Sequence, residues 1–404
     1  MPTLPSLADN VAYLALVFSL IVIPRILQRF RLPAPITSFG LGILATAVMG
    51  TGIRDTTLSV LATLGISSLF LFAGLEVDLK ALRKGLWPLL SHLAVRSCTI
   101  AAATYLGMRY GGFSWNVSAL LALAVLTPST GFILESLPGL GLDDEERFWV
   151  TIKAIGGEIL ALAALFVILQ ADSVPHLLVS TGAIVGMIVG IPVFLTLLVR
   201  FVIPYAPSSE FSLLVMVGLI AAYLTEHLGV HYLVGAFLAG LIARILRPRM
   251  PRLASDDNLH AIQLFATFFI PFYFFSQGMG VPSGALSWDA LRMGIGLTGA
   301  VLPFRIASVW LQRRFISGES ARVSLRVATA LTPTLIFTMV LATILKERFG
   351  LADAVYGALL VYAVLSTLLP SAILSKPADF SPQVPPPRPN ATQPDSVAVR
   401  SAQG

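Results

Sequence analysis

Charge is scarce in this chain. Only 12% of its 404 residues are Asp, Glu, Lys or Arg, while 56% are hydrophobic and the mean hydropathy is +0.84. That composition excludes an ordinary soluble domain and places the chain among polytopic membrane proteins. Cysteine is nearly absent: Cys98 stands alone, so an intramolecular disulfide and a cysteine metal site are both excluded. The five histidines fall in no ligand spacing, Ser129 has no histidine near it in the sequence, and neither a phosphate loop nor a glycine-rich nucleotide fingerprint is found. An enzyme is therefore not expected. Neither is a resident cofactor, nor an appended soluble nucleotide-binding domain.

What the chain does have is apolar runs. A membrane span needs about 20 apolar residues, and thirteen candidates fall at 9–24, 33–50, 57–76, 86–108, 116–137, 147–170, 176–203, 210–228, 231–246, 259–279, 287–312, 321–346 and 351–375. The first is followed by Arg25, Arg29 and Arg31 and by no small-residue cleavage site, so it is expected to remain as a helix. The net charge of +6 would suit nucleic acid, but the distribution of the basic residues argues otherwise. With the N-terminus outside, 20 of the 27 Lys and Arg fall on the cytoplasmic side, five outside (Arg54, Arg109, Arg292, Lys346, Arg348) and two in mid-span (Arg96, Arg305). This is the positive-inside pattern. It predicts a multi-pass protein of a bacterial inner membrane, with the bilayer and not nucleic acid as its partner. The expected organisation is a transmembrane domain over 1–375 and a Pro-rich, disordered cytoplasmic tail over 376–404.

Inside this apolar frame a few residues demand a reason. Glu158 lies deep in the sixth span, directly after Gly156 and Gly157, and a charge at the bilayer centre costs at least ~2.5–3.5 kcal/mol. In the fifth span Pro128 is surrounded by Thr127, Ser129 and Thr130; in the twelfth, Pro333 lies between Thr332 and Thr334. A proline removes a helical hydrogen bond, and hydroxyls beside it can satisfy the freed backbone groups. The two Leu-Thr-Pro segments stand 205 positions apart, and SFGLGILA at Ser38 and LFLFAG at Leu69 have similar partners at Ala236 and Tyr273. The chain thus divides into two five-helix repeats, about 33–170 and 231–375, linked by the helices of 176–228. Seven spans separate equivalent positions, so the repeats are inverted. Broken helices at matching places in inverted repeats mark a transporter's central site. Arg96 and Arg305 are near-equivalent in the two repeats, and each is expected to meet a backbone carbonyl or a carboxylate. Glu158 has no acidic counterpart; its equivalent stretch, VYAVLSTLL, is apolar.

LFLFAGLEVDLKALR, the TPST break, a carboxylate followed by Ile-Leu in the next helix, LVGAFLAGLI and a basic residue in the eleventh span together resemble the monovalent cation/proton antiporter superfamily, in its second branch, over about residues 10–375. The resemblance implies an all-α membrane protein of the sodium/proton antiporter fold with two crossed interrupted helices. It implies a homodimer and an elevator-type alternating-access exchange of Na+ or K+ for H+, electroneutral if the single carboxylate serves both ions. Glu158 falls on the family's ion- and proton-binding carboxylate, the only expected ligand of a metal, and that metal is the transported monovalent cation. Gly157 falls where the family has a first Asp or Asn. Thr127, Ser129 and Thr130 fall on the first crossover, Thr332, Pro333 and Thr334 on the second, and Arg305 on the family's basic position, with Arg96 as a further charge partner. Two other readings stay open: a sodium-coupled organic anion symporter, for which the two arginines would hold the anion, and a non-transporting sensor of the same fold.

Overall fold

The computed structural model describes residues 7–30, 32–49, 56–170, 174–206, 208–228, 230–253 and 255–374. The tail over 376–404 and the outer residue Arg54 lie outside the described residues. Every regular element among the described residues is helical: two short 3-10 turns, Leu137–Leu140 and Ser283–Leu286, and sixteen α-helices. In chain order these are α1 (Leu7–Gln28), α2 (Ala34–Met49), α3 (Thr56–Leu75), the short α4 (Leu79–Lys84), α5 (Leu86–Gly111), α6 (Trp115–Leu126), α7 (Thr130–Ser136), α8 (Asp144–Gln170), α9 (Val174–Phe201), α10 (Glu210–His227), α11 (Tyr232–Leu246), α12 (Asp256–Met279), α13 (Trp288–Phe315), α14 (Ala321–Ala330), α15 (Leu335–Phe349) and α16 (Asp353–Ile373). Each of the thirteen apolar stretches coincides with a helix or a broken pair of helices. Among the described residues nine spans are long and apolar enough to cross a membrane, with Trp115–Leu140, which holds α6 and α7, counted as one; they are ten when α14 and α15 count as one bent span, and the apolar parts of α1, α2 and α11 are shorter.

Helix starts follow from local chemistry. Ser114, Ser255, Ser287 and Ser320 stand just before α6, α12, α13 and α14 and accept hydrogen bonds from backbone N–H groups of the first turn, the donors that a helix leaves unpaired. At α8 the capping is reciprocal: Asp143 Oδ1 accepts from the Glu146 N–H at 2.8 Å, and Glu146 Oε2 accepts from the Asp143 N–H at 3.0 Å.

The helices pack in two groups. In one, α3 lies against α11 and α12, α12 against α2, and α10 against α11; in the other, α5 pairs with α6, α13 with α16 and α14, and α15 with α6 and α16. The first group is held by backbone crossings that only glycine permits. A Cβ on Gly42 would stand 2.1 Å from Phe275 O and one on Gly278 2.2 Å from Phe39 O, which joins α2 to α12. Gly74 against Phe237 O (2.2 Å) and Gly240 against Leu71 O (2.1 Å) join α3 to α11 in the same reciprocal way. With lipid outside as apolar as the interior, close backbone approach is a main source of helix association.

The two prolines interrupt their helices as expected. Residues 127–129 separate α6 from α7, and 331–334 separate α14 from α15, which meet at a bend of 44°. Thr130 is the exception among the break residues: it is the first residue of α7, because Pro128 disturbs only the turn around it. The breaks touch each other. The Ser129 N–H donates to Pro333 O at 2.8 Å, Ser129 Oγ accepts from the Phe337 N–H at 3.1 Å, and Thr338 Oγ1 donates to Ala124 O at 2.7 Å.

Candidate ion site

α8 carries Glu158 past the crossing, 2% exposed. Its Oε2 has no hydrogen-bond partner, and it takes part in none of the ion pairs among the described residues. Thr130 turns its hydroxyl and backbone N–H toward this carboxyl, in a geometry short of a full hydrogen bond: Thr130 Oγ1 is also without a partner. Thr127 Oγ1, fully buried, is a third unpartnered oxygen on the same break. Native interiors rarely leave polar atoms unpaired. A narrow crevice reaches Glu158 between the two helix groups, lined by Leu69, Phe70 and Ala73 of α3, Ser129 and Gly131 of the first break and α7, and Ile336 and Phe337 of α15. A buried acidic group that reaches a crevice, with the Thr130 hydroxyl turned toward it, suits a hard monovalent cation or a proton, which oxygen ligands hold.

Arg96 and Arg305 do not pair with Glu158. They hold the C-terminal ends of the two half-helices. Arg96 donates through Nη2 to Leu126 O, at the end of α6, while Nη1 lies 3.4 Å from His92 Nε2, four residues earlier on α5. Arg305, 6% exposed, donates through Nη1 to Thr332 O (2.9 Å) and through Nη2 to Leu331 O (3.0 Å), just past α14. Both ends carry partial negative charge from their unpaired carbonyls, so a guanidinium, half-buried at Arg96 and buried at Arg305, meets each helix end. Of the carbonyl and carboxylate partners left open by the sequence, the carbonyls are the ones present.

Gly157 has a visible reason to lack a side chain. A Cβ there would stand 2.5 Å from Arg96 Nη1, and Pro128 Cγ lies 3.5 Å away. The arginine occupies the space that a side chain at position 157 would take. In Gly157→Asp the new carboxylate lands against the guanidinium, so we expect it to pair with Arg96 and loosen the hold on Leu126 O, without adding a second ion ligand. Exchange is then several-fold slower than wild type, with unchanged stoichiometry. Flux assays in reconstituted vesicles check this; two positive charges bound per cycle would contradict it.

Ser129 and the second break have structural duties. Ser129 Oγ is used by the Phe337 N–H, Thr332 Oγ1 donates to Thr329 O (2.8 Å) and Ser366 O (3.2 Å), and Thr334 Oγ1 is 2.9 Å from Ser366 Oγ. Pro333 contributes its carbonyl to Ser129. Several participants carry no sequence signal. Lys153, 1% exposed and one of the basic residues assigned to the cytoplasmic side, is buried on α8 and donates to Gln312 Oε1 at 3.1 Å, which also lies 3.0 Å from His92 Nδ1. Glu146, the other buried carboxylate among the described residues, is paired with Arg326 at 2.7 Å.

Such an assembly, a bundle of apolar helices in which two broken helices meet near one buried carboxylate, defines a polytopic membrane protein. Residues 15–377 match the transmembrane sodium/hydrogen exchanger family, and the chain belongs to it. This is a family of transporters, not enzymes, within the monovalent cation/proton antiporters. Among curated proteins the chain is 26% identical to the probable Na+/H+ antiporter 3 of Methanocaldococcus jannaschii, over 64% of this chain and 68% of that one. It is 24% identical to the putative Na+/H+ antiporter YjbQ of Bacillus subtilis, over 90% of this chain but only 62% of that one. Its fold resembles the sodium proton antiporter MjNhaP1 of M. jannaschii at pH 8, with a TM-score of 0.64 at 13% identity over 90% of this chain and 95% of that one.

Proposed function

We propose that the protein is a secondary antiporter that exchanges Na+, or K+, for H+ across a bacterial inner membrane, one ion for one proton. The observation that carries this reading is the buried Glu158 carboxyl, which has no ion-pair partner among the described residues and has Thr130 turned toward it. A carboxylate out of water must shed its charge or gain a counter-ion. A proton and a metal cation therefore compete for it, and competition combined with alternating access gives exchange. Thr130 and Thr127 supply further oxygens, while Arg96 and Arg305 keep the crossing helix ends in place.

In this reading all thirteen apolar segments cross the membrane as one domain over 1–375, with inverted repeats at about 33–170 and 231–375, the N-terminus outside and the tail cytoplasmic. The group containing α3, α11 and α12 is the fixed scaffold of a homodimer, and the group containing the crossed helices moves past it as an elevator. The crevice between the groups supports this division. The test is reconstitution: an inward Na+ or K+ gradient should drive protons out of proteoliposomes, and labelled organic acids should not accumulate. Accumulation of the acid without cation-driven pH change would replace the reading with anion symport.

A further inference from the structure

Besides Arg96 and Arg305, a third long side chain serves a carbonyl at the end of a half-helix, and it is one that the sequence leaves unremarked. Tyr362 on α16 is fully buried. Its hydroxyl accepts from Arg305 Nη1 at 2.9 Å and donates to Val125 O at 2.5 Å. Val125 lies in the last turn of α6, in the other repeat, so a charge-assisted chain runs from the end of α14, through Arg305 and Tyr362, to the end of α6. A buried phenol needs such partners, and a chain anchored on a cation is stronger than a neutral one. Tyr362 also stands 205 positions after Gly157, the separation of the two Leu-Thr-Pro segments. The two positions are filled in opposite ways. At Gly157 the absent side chain leaves room for Arg96; at Tyr362 a side chain reaches from the second repeat into the first.

We propose that Tyr362 is a positioning residue that ties Arg305 to the end of α6 and so sets the affinity of the Glu158 site for its cation. The proposal rests on the antiport reading above. The path is short: α6 ends at Leu126, the break follows, and α7 begins with Thr130, which faces Glu158. Loss of the tyrosine hydroxyl frees Val125 O and lets the α6 end, and with it Thr130, shift against the carboxyl. Arg305 keeps its two carbonyls just past α14 and stays in place.

The experiment is Na+-driven proton exchange by Tyr362→Phe in proteoliposomes, with KM and maximal rate measured separately and the folded state checked by size exclusion and thermal unfolding. We expect a folded protein whose KM for Na+ rises about tenfold, the scale of one buried hydrogen bond to a charged chain. The control is Thr338→Val, which removes another buried bond onto the same helix, to Ala124 O, without touching Arg305. It should lower the unfolding temperature and leave KM unchanged. An unchanged KM in Tyr362→Phe, or equal KM shifts in both variants, overturns the proposal. Should Tyr362→Phe not fold, 4-aminophenylalanine and 4-methylphenylalanine at this position provide the same comparison: only the first restores a donor, and equal KM values for the two again overturn it. Wild-type protein that moves no protons against Na+ would fail the antiport reading itself, a different result from an active wild type with an unaffected Tyr362→Phe.

Discussion

Glu158→Gln should reduce cation-driven proton movement to the level of protein-free vesicles while leaving a folded, thermally stable protein. The amide has the shape of the carboxyl but neither binds a proton in the working pH range nor offsets the charge of a cation. Glu146, the second fully buried carboxylate among the described residues, is committed to Arg326. Stability should be equal or higher, because Glu158 has no ion-pair partner to lose and an uncharged side chain no longer has to be desolvated. Exchange assays and thermal unfolding on the same preparation give both readings. Retained exchange would move the ion site elsewhere, and collapse of the fold would make Glu158 a structural residue.

Arg305→Ala should fail in the opposite manner, losing exchange and stability together. The guanidinium serves Leu331 O, Thr332 O and the Tyr362 hydroxyl, all buried. Its removal leaves these groups without their donor, at a combined cost of about 3–5 kcal/mol, and releases the partial negative charge at the end of α14. Arg305→Lys should recover only part of the loss, since one ammonium cannot reproduce a fork that spans two successive carbonyls. The unfolding midpoint should therefore rank wild type above Lys above Ala. An alanine variant as stable as wild type would mean that the helix end is held by something else.

The contrast between these variants reflects what the sequence made legible. The breaks could be read because proline is a covalent cause of interruption and the flanking threonines and serine are visible at once. Glu158 could be read because an acid in an apolar run is anomalous whatever surrounds it. Arg305 and Arg96 were visible as mid-span charges, but their partners were not, because a backbone carbonyl has no letter in the sequence. Ser129 illustrates the same limit: a hydroxyl beside a break suits an ion, yet the neighbouring helix start at Phe337 has taken it. Tyr362 sits in VYAVLSTLL, where one aromatic among aliphatics is indistinguishable from packing. The Lys153, His92 and Gln312 contacts join three helices far apart in the chain, and only the assembled fold brings them together. Gly157 was legible as a missing side chain but not as the space that Arg96 fills.

The most direct test of the central claim, one carboxylate carrying either one proton or one cation, is the balance point of exchange in proteoliposomes under a clamped membrane potential. Opposing Na+ and pH gradients are varied until no net proton flux is seen. The account predicts balance when the two concentration ratios are equal, at every imposed potential, and no such flux at all in Glu158→Gln. A balance point that moves with the potential would show net charge transfer per cycle and contradict it.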